Sequence, residues 1–149
     1  MLLLDANVLI RSFRADIERD DEVRAWLERL IGDEVPFGFP DGILMGFVRI
    51  VTQKPFNPIT PIEHALAFAE QLREAPSCHV IAADPLQWSR FVEICRKLRA
   101  HGKQAQDVYW ASFALSHDAE WITFDGGFSQ VPGLRWRSPL EDQARTNPR

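Results

Sequence analysis

Three aspartates, Asp5, Asp107 and Asp125, each border an apolar stretch of this 149-residue chain. Asp5 and Asp125 each end a short apolar run, and Asp107 precedes an apolar helical stretch. Continuous apolar runs are typical of strands buried in a parallel sheet, where ligands bind beyond the carboxyl ends of the strands. We therefore expect the three carboxylates to converge. Converging carboxylates repel unless a cation joins them, and a hard divalent ion such as Mg²⁺ would support phosphodiester hydrolysis.

Each aspartate also has a purely structural explanation. Asp5 could cap a helix, and Asp107 could compensate the dipole in the first turn of another. Asp125 stands before Gly126, and an Asp-Gly pair favours a tight turn. Any one of these explanations is sufficient alone. Three acids on separate elements, all at predicted edges of one sheet, favour a shared chemical role.

Alternating strands and helices predict an α/β sandwich around a mainly parallel sheet of about four to five strands. The predicted strands are residues 1–4, 35–39, 78–83, 121–125 and 134–136. Between them, apolar spacing and capping residues predict helices over residues 7–13, 20–31 and 41–51, then after Thr60, after Asp84 and from Asp107 onward.

Particular residues define three of these helix ends. Thr60-Pro61-Ile62-Glu63 has the form of a capping box with Pro61 at the first helical position. Gly102 is predicted to end the helix that starts after Asp84. A polar loop over residues 102–106 then leads to the helix opened by Asp107.

Length and composition favour one domain over residues 1–140 with a polar tail over 141–149. The net charge of −4 argues against a protein that coats nucleic acid non-specifically, because that mode needs many Lys and Arg contacts. The N-terminus has no basic region before its apolar run, and no apolar stretch approaches a membrane span. We expect a cytoplasmic protein without a membrane segment.

Several segments, taken in order, resemble the PIN-domain family, in particular the VapC toxins of VapBC toxin–antitoxin pairs. The similarity covers about residues 1–140 and is strongest over 4–10, 46–52, 106–111, 122–128 and 131–136. Each motif alone is weak, whereas their order and spacing together are specific. The family resemblance implies an endoribonuclease that uses Mg²⁺ or Mn²⁺ and metal-activated water.

By position, Asp5, Asp107 and Asp125 match the metal-coordinating acids of the family. The resemblance implies that Asn7 orients Asp5 and that Thr123 steadies the site near Asp125, since metal ligands need fixed orientations. The mechanism expected from the family needs no nucleophilic Ser or Cys.

One position departs from the family pattern. The family usually places a Glu on the helix after the second strand, and the similarity puts Gly46 there. Asp41, at the predicted start of that helix, is expected to supply the fourth carboxylate and metal ligand. The alternative explanation of Asp41 is an N-cap after Pro40.

The resemblance also implies a cognate VapB-type antitoxin, an RNA substrate among tRNA and ribosomal RNA, and a homodimer. Two other interpretations compete with the toxin nuclease. The chain could be a catalytically degenerate PIN-like module that binds RNA or protein, an alternative that the Gly46 position leaves open. It could also be a phosphatase or a structure-selective DNA nuclease that uses the same acidic cluster.

Overall fold

A computed structural model describes residues 1–14 and 20–141, so most of the expected tail lies outside the described residues. Five strands form one sheet in the order β3-β2-β1-β4-β5, and every neighbouring pair is parallel. The expected α/β sandwich is confirmed. The strands are β1 Leu2–Leu4, β2 Phe37–Pro40, β3 Cys78–Ile81, β4 Glu120–Ile122 and β5 Trp136–Arg137.

Helices connect the strands. None of them, within the two described ranges, has the length and hydropathy that a membrane span requires. Their bounds are α1 Ala6–Phe13, α2 Asp20–Gly32, α3 Asp41–Val51, α4 Ile62–Glu74, α5 Pro85–Leu98 and α6 Lys103–Ser116, with a 3₁₀ turn at Gly126–Gln130.

The strand β1 lies at the centre of the sheet and is buried. Leu3 and Leu4 are fully buried, as expected for a strand that is covered by helices on both faces of the sheet. The chain builds outward from β1 through β2 to β3, and then returns to the other side of β1 with β4. The strand order therefore reverses at β1 and β4, which is where ligands bind in open α/β sheets.

The register between β1 and β4 brings the ends of these strands together. Leu4 is paired with Ile122, so the next residues, Asp5 and Thr123, leave the sheet side by side. Two segments more than a hundred residues apart thus converge through ordinary strand pairing.

The close approach of β2 to β3 depends on Gly38. A Cβ atom at this position would lie 2.0 Å from the backbone oxygen of His79. No side chain fits at that distance, so glycine is required here for a steric reason.

The start of α4 differs from the prediction. The helix begins at Ile62 with Pro61 as N-cap, and no side chain caps it, so the predicted capping box is wrong. The Thr60 backbone N–H instead donates to the Val51 carbonyl oxygen at 2.9 Å, which ties Thr60 to the end of α3.

The boundary between α5 and α6 is also different. As predicted, Asp84 caps α5 by accepting from the Gln87 backbone N–H at 2.7 Å. However, α5 ends at Leu98, with Arg99 left-handed at φ 51°, and Gly102 is the N-cap of α6 rather than the end of α5. The predicted polar loop therefore forms the first turn of α6.

The helical first turn of α6 has a simple physical cause. Residues 103–106 are Lys, Gln, Ala and Gln, which are good helix formers although they carry no apolar periodicity. Asp107 consequently lies in the second turn of the helix, and Lys103 lies one turn before it. This shift determines the electrostatics of the functional site.

Candidate active site

The three predicted aspartates lie around one pocket at the carboxyl edge of the sheet. Asp5 follows β1 and is the N-cap of α1, Asp107 projects from α6, and Asp125 follows β4 as the N-cap of the 3₁₀ turn. All three line a cavity of about 370 Å³. The fold therefore brings these three side chains to one pocket, as expected.

The rest of the pocket wall is largely apolar and comes from α1, α3, α6 and the 3₁₀ turn. The indole of Trp110 lies against Gly42, where an added Cβ would be 2.6 Å from the Trp110 Cη2 atom. The apolar lining residues are Ala6, Ile10, Ile43, Met45, Ile50, Trp110 and Phe128.

Asp5 is fixed by a compact polar network. Its Oδ2 atom accepts hydrogen bonds from Thr123 Oγ1 at 2.7 Å and from Asn7 Nδ2 at 3.0 Å. Asn7 Nδ2 also donates to Thr123 Oγ1 at 2.9 Å. Thr123 is fully buried, so the network has a rigid anchor. The structure thus places Asn7 and Thr123 beside Asp5, as the sequence predicted.

The same network reaches Asp125. Thr123 Oγ1 accepts from the Asp125 backbone N–H at 3.0 Å, and Asn7 Oδ1 accepts from the Phe124 backbone N–H at 3.2 Å. Asp125 Oδ1 accepts from the Gly127 backbone N–H at 2.8 Å. Asp5 and Asp125 are therefore held by one set of hydrogen bonds that spans β1, α1 and the end of β4.

Lys103 is the residue that the sequence interpretation missed. Its Nζ atom is 2.9 Å from Asp107 Oδ2 and 2.6 Å from Asp125 Oδ2, so one ammonium group contacts both carboxylates. The signal in the sequence was the four-residue spacing between Lys103 and Asp107, which places the two side chains on one helix face. It was hidden because the helix was expected to start only at Asp107.

Burial and charge shift the ionisation of the pocket in opposite directions. Burial raises the pKa of Asp5, and the neighbouring Asp125 and Asp107 charges add to this, while the Thr123 hydrogen bond opposes it. The Lys103 hydrogen bond, followed by the Gly127 N–H, lowers the pKa of Asp125. The pKa of Lys103 is raised by its hydrogen bonds to the two aspartates. The pocket therefore combines one carboxylate that resists ionisation with one that favours it.

Asp41 is not part of this pocket. It is the first residue of α3, its side chain is 68% exposed, and it forms an ion pair with Arg73 of α4. The geometry corrects the expectation that Asp41 supplies the fourth carboxylate. Its partner lies 32 residues away in the sequence, a pairing that local sequence patterns do not reveal.

Gly46 does line the pocket. A Cβ atom built on it would have no neighbour within 4 Å, so the space next to the aspartates is open on this side. In the arrangement described for residues 1–14 and 20–141, where Lys103 contacts Asp107 and Asp125, no group of three His, Cys, Asp or Glu side chains has the geometry of a metal site. Position 46 therefore contributes no carboxylate to this pocket.

Arg11 has a structural role. It pairs with the fully buried Asp20 at 2.8 Å, and its guanidinium carbon lies 3.9 Å from the ring centroid of Phe124. These contacts join α1 to α2 and to the segment after β4. They account for the charge of Arg11 within the fold.

An α/β sandwich with converging aspartates at the switch point of a parallel sheet defines the class of this protein. The sequence pattern of the PIN domain matches residues 2–134, and the chain belongs to the PIN-domain family.

Relatives place the chain more narrowly. It is 35% identical over 144 residues to the VapC ribonuclease Mb2897 of Mycobacterium bovis, a similarity that covers 96% of this chain and 98% of the relative. Ribonuclease VapC31 of Mycobacterium tuberculosis is 30% identical over 142 residues, covering 94% of this chain and all of the relative (100%). Among solved structures, VapBC2 of Rickettsia felis bound to a promoter DNA fragment has a TM-score of 0.69 at 16% identity, covering 92% of this chain and 97% of that chain. The last similarity supports the fold.

Proposed function

We propose that this chain is an endoribonuclease that depends on Mg²⁺ or Mn²⁺ and acts as the toxin of a type II toxin–antitoxin pair. The observation that carries the proposal is the convergence of Asp5, Asp107 and Asp125 on one pocket, in a PIN domain whose relatives are named VapC ribonucleases.

The donor set fits a hard divalent cation. All three side chains offer carboxylate oxygens, which are the ligands that Mg²⁺ prefers. The Lys103 ammonium contacts Asp107 and Asp125 together, so these two carboxylates are close enough to share one cation. Asp5, Asp107 and Asp125 would hold the metal. When bound, such an ion lowers the pKa of a coordinated water and stabilises charge on a phosphate.

The protein's own contribution is orientation. Thr123 and Asn7 hold the Asp5 carboxylate in place, and the Gly127 N–H holds Asp125. Hydrogen-bonded partners of this kind raise metal affinity because the ligand atoms need no rearrangement on binding. Neither Ser nor Cys is among the described residues that line the pocket, which agrees with attack by water rather than by a side chain.

We also infer a VapB-type antitoxin, a homodimer and a cytoplasmic location, with tRNA or ribosomal RNA as the substrate. Solved structures of similar fold include VapBC complexes from Rickettsia felis and Salmonella typhimurium. A basic antitoxin side chain would neutralise the aspartates in the way that Lys103 does here. Leu86 and Trp88 of α5 are more than half exposed and offer apolar surface for a second subunit.

Cleavage of a pooled RNA by the purified chain, with its product ends mapped, tests the proposal. We expect cleavage that requires Mg²⁺ or Mn²⁺, is lost in EDTA and in Asp5→Asn, and leaves 5′-phosphate and 3′-hydroxyl ends. Ends bearing 2′,3′-cyclic phosphate would contradict attack by metal-activated water.

The open position at Gly46 favours one second candidate, a PIN domain that binds RNA or protein without cutting it. A panel of RNA, DNA and phosphomonoester substrates separates the alternatives. Binding of Mn²⁺ without turnover of any substrate would favour the degenerate domain. Preferential turnover of DNA or of a phosphomonoester would instead identify a DNA nuclease or a phosphatase.

A further inference from the structure

Two cationic side chains from different helices line the acidic pocket. Arg49 is an exposed residue of α3, and Lys103 is a 69% exposed residue of α6. In the described ranges 1–14 and 20–141, the Arg49 guanidinium has no hydrogen-bond or ion-pair partner. Its charge at the pocket is therefore not accounted for by the fold.

The position of Arg49 on α3 is informative. It follows Met45 by four residues and Gly46 by three, so the three share one helix face, and all of them line the pocket. Because Gly46 has no side chain and its surroundings are open, it leaves space beside Arg49 on the face of α3 that lines the pocket. A Glu at position 46 would instead place a carboxylate beside Arg49.

Charge counting indicates what these cations do. With all three aspartates ionised and one divalent cation bound, the pocket would carry one net negative charge and would repel a phosphodiester. Arg49 and Lys103 reverse that sign to one net positive charge. Guanidinium groups match the geometry of phosphate oxygens, and an ammonium supplies a compact positive charge on a flexible stem.

We propose that Arg49 and Lys103 form a two-sided clamp that binds the phosphates of an RNA strand as it crosses the pocket. The inference rests on the proposed function, since it assumes that RNA is the ligand. Lys103 reaches from the α6 side, where it also contacts Asp107 and Asp125, and Arg49 reaches from the α3 side. Both are positioning residues that hold the strand.

The test is a salt titration of RNA binding by the full chain. The ligand is a fluorescein-labelled single-stranded RNA oligonucleotide, with Ca²⁺ replacing Mg²⁺ and oligonucleotide integrity checked by gel. For single strands, each phosphate contact contributes about 0.7 to the slope of log Kd against log salt concentration. We expect Arg49→Met and Lys103→Met each to weaken binding several-fold at low salt and to reduce the slope by about 0.7.

Matched variants separate a phosphate contact from other effects. Arg49→Lys and Lys103→Arg keep the charge and should retain most of the slope. Arg96→Met and Lys97→Met remove exposed cations of α5 outside the pocket and should change neither Kd nor slope. Lys103 contacts Asp107 and Asp125, so a Ca²⁺ titration of Lys103→Met measures any change in RNA binding that acts through Ca²⁺ at these carboxylates. Arg49 does not contact them.

The outcomes distinguish the two proposals. RNA binding by the unmodified chain, with Kd and slope unchanged in both Met variants, would overturn the clamp and leave the nuclease proposal intact. Failure of the unmodified chain to bind RNA at all would overturn both.

Discussion

Replacing Thr123 with Val tests the network that supports the aspartates. Valine has nearly the same shape as threonine, so the change removes the hydroxyl and little else. That hydroxyl donates to Asp5 at 2.7 Å and accepts from Asn7 and from the Asp125 backbone N–H. The residue is fully buried, so water cannot easily replace the lost contacts.

The expected cost follows from these contacts. A hydrogen bond to a charged group contributes about 1.5–3 kcal/mol, and a buried donor left unpaired costs roughly 1–3 kcal/mol. Because Asn7 keeps its bond to Asp5, we expect a total loss of about 2–4 kcal/mol in the free energy of unfolding. For a domain of this size such a loss lowers Tm by roughly 5–15 °C.

Urea unfolding at 25 °C and neutral pH, with EDTA present, measures this loss without a contribution from bound metal. Thr123→Ser is the matched control, because it keeps the hydroxyl and removes one buried methyl group at a cost of about 1 kcal/mol. The Thr123 bond lowers the pKa of Asp5, so the deficit of the Val variant should narrow as Asp5 becomes protonated at lower pH. A Val variant as stable as the Ser variant would refute the role assigned to the hydroxyl.

Three further predictions concern Gly38, Gly46 and Asp5. Gly38→Ala should strongly destabilise the fold in urea unfolding, because its Cβ would lie 2.0 Å from the His79 carbonyl oxygen; an unchanged midpoint would contradict the β2–β3 packing. Gly46→Glu should bind Mn²⁺ several-fold more tightly in calorimetry than Gly46→Gln, since only Glu adds a charge to the open side of the pocket; equal affinities would mean that this position does not reach the metal. Asp5→Asn should gain stability relative to the unmodified chain as pH rises from about 4 to about 7 in EDTA. The sign follows from the raised pKa of Asp5: its contribution is fully present below the ordinary carboxyl pKa and is lost as pH rises through the raised value. If the difference in the free energy of unfolding between Asp5→Asn and the unmodified chain stayed constant from about pH 4 to about pH 7, the raised pKa of Asp5 would be contradicted.

Much of the fold was accessible from the sequence because the central strands β1, β2 and β4 are largely buried. Apolar runs ending in Asp5 and near Asp125 predicted β1 and β4, and strand pairing placed their ends together. Asn7 and Thr123 were predicted from the family motif, and the hydrogen bonds of the pocket place both beside Asp5.

The Asp41–Arg73 ion pair and the position of Lys103 were not accessible, because they depend on a tertiary contact and on a polar helix turn. The partner of Asp41 is Arg73 on another helix, and no local pattern distinguishes an ion-paired acid from a metal ligand. The first turn of α6 has helix-forming residues but no apolar stripe, so the position of Lys103 relative to Asp107 was missed. The contact between Lys103 and Asp125 forms only in the folded chain, because the two residues lie on different elements.

The most direct test of the account compares Asp107→Asn and Asp125→Asn with Asp41→Asn in Mg²⁺- and Mn²⁺-dependent cleavage of pooled RNA. All three changes remove one negative charge, and only the first two lie in the pocket. We expect cleavage to be abolished in the two pocket variants and retained in Asp41→Asn. Retained cleavage in either pocket variant, or its loss in Asp41→Asn with the fold intact, would contradict the assignment of the active site.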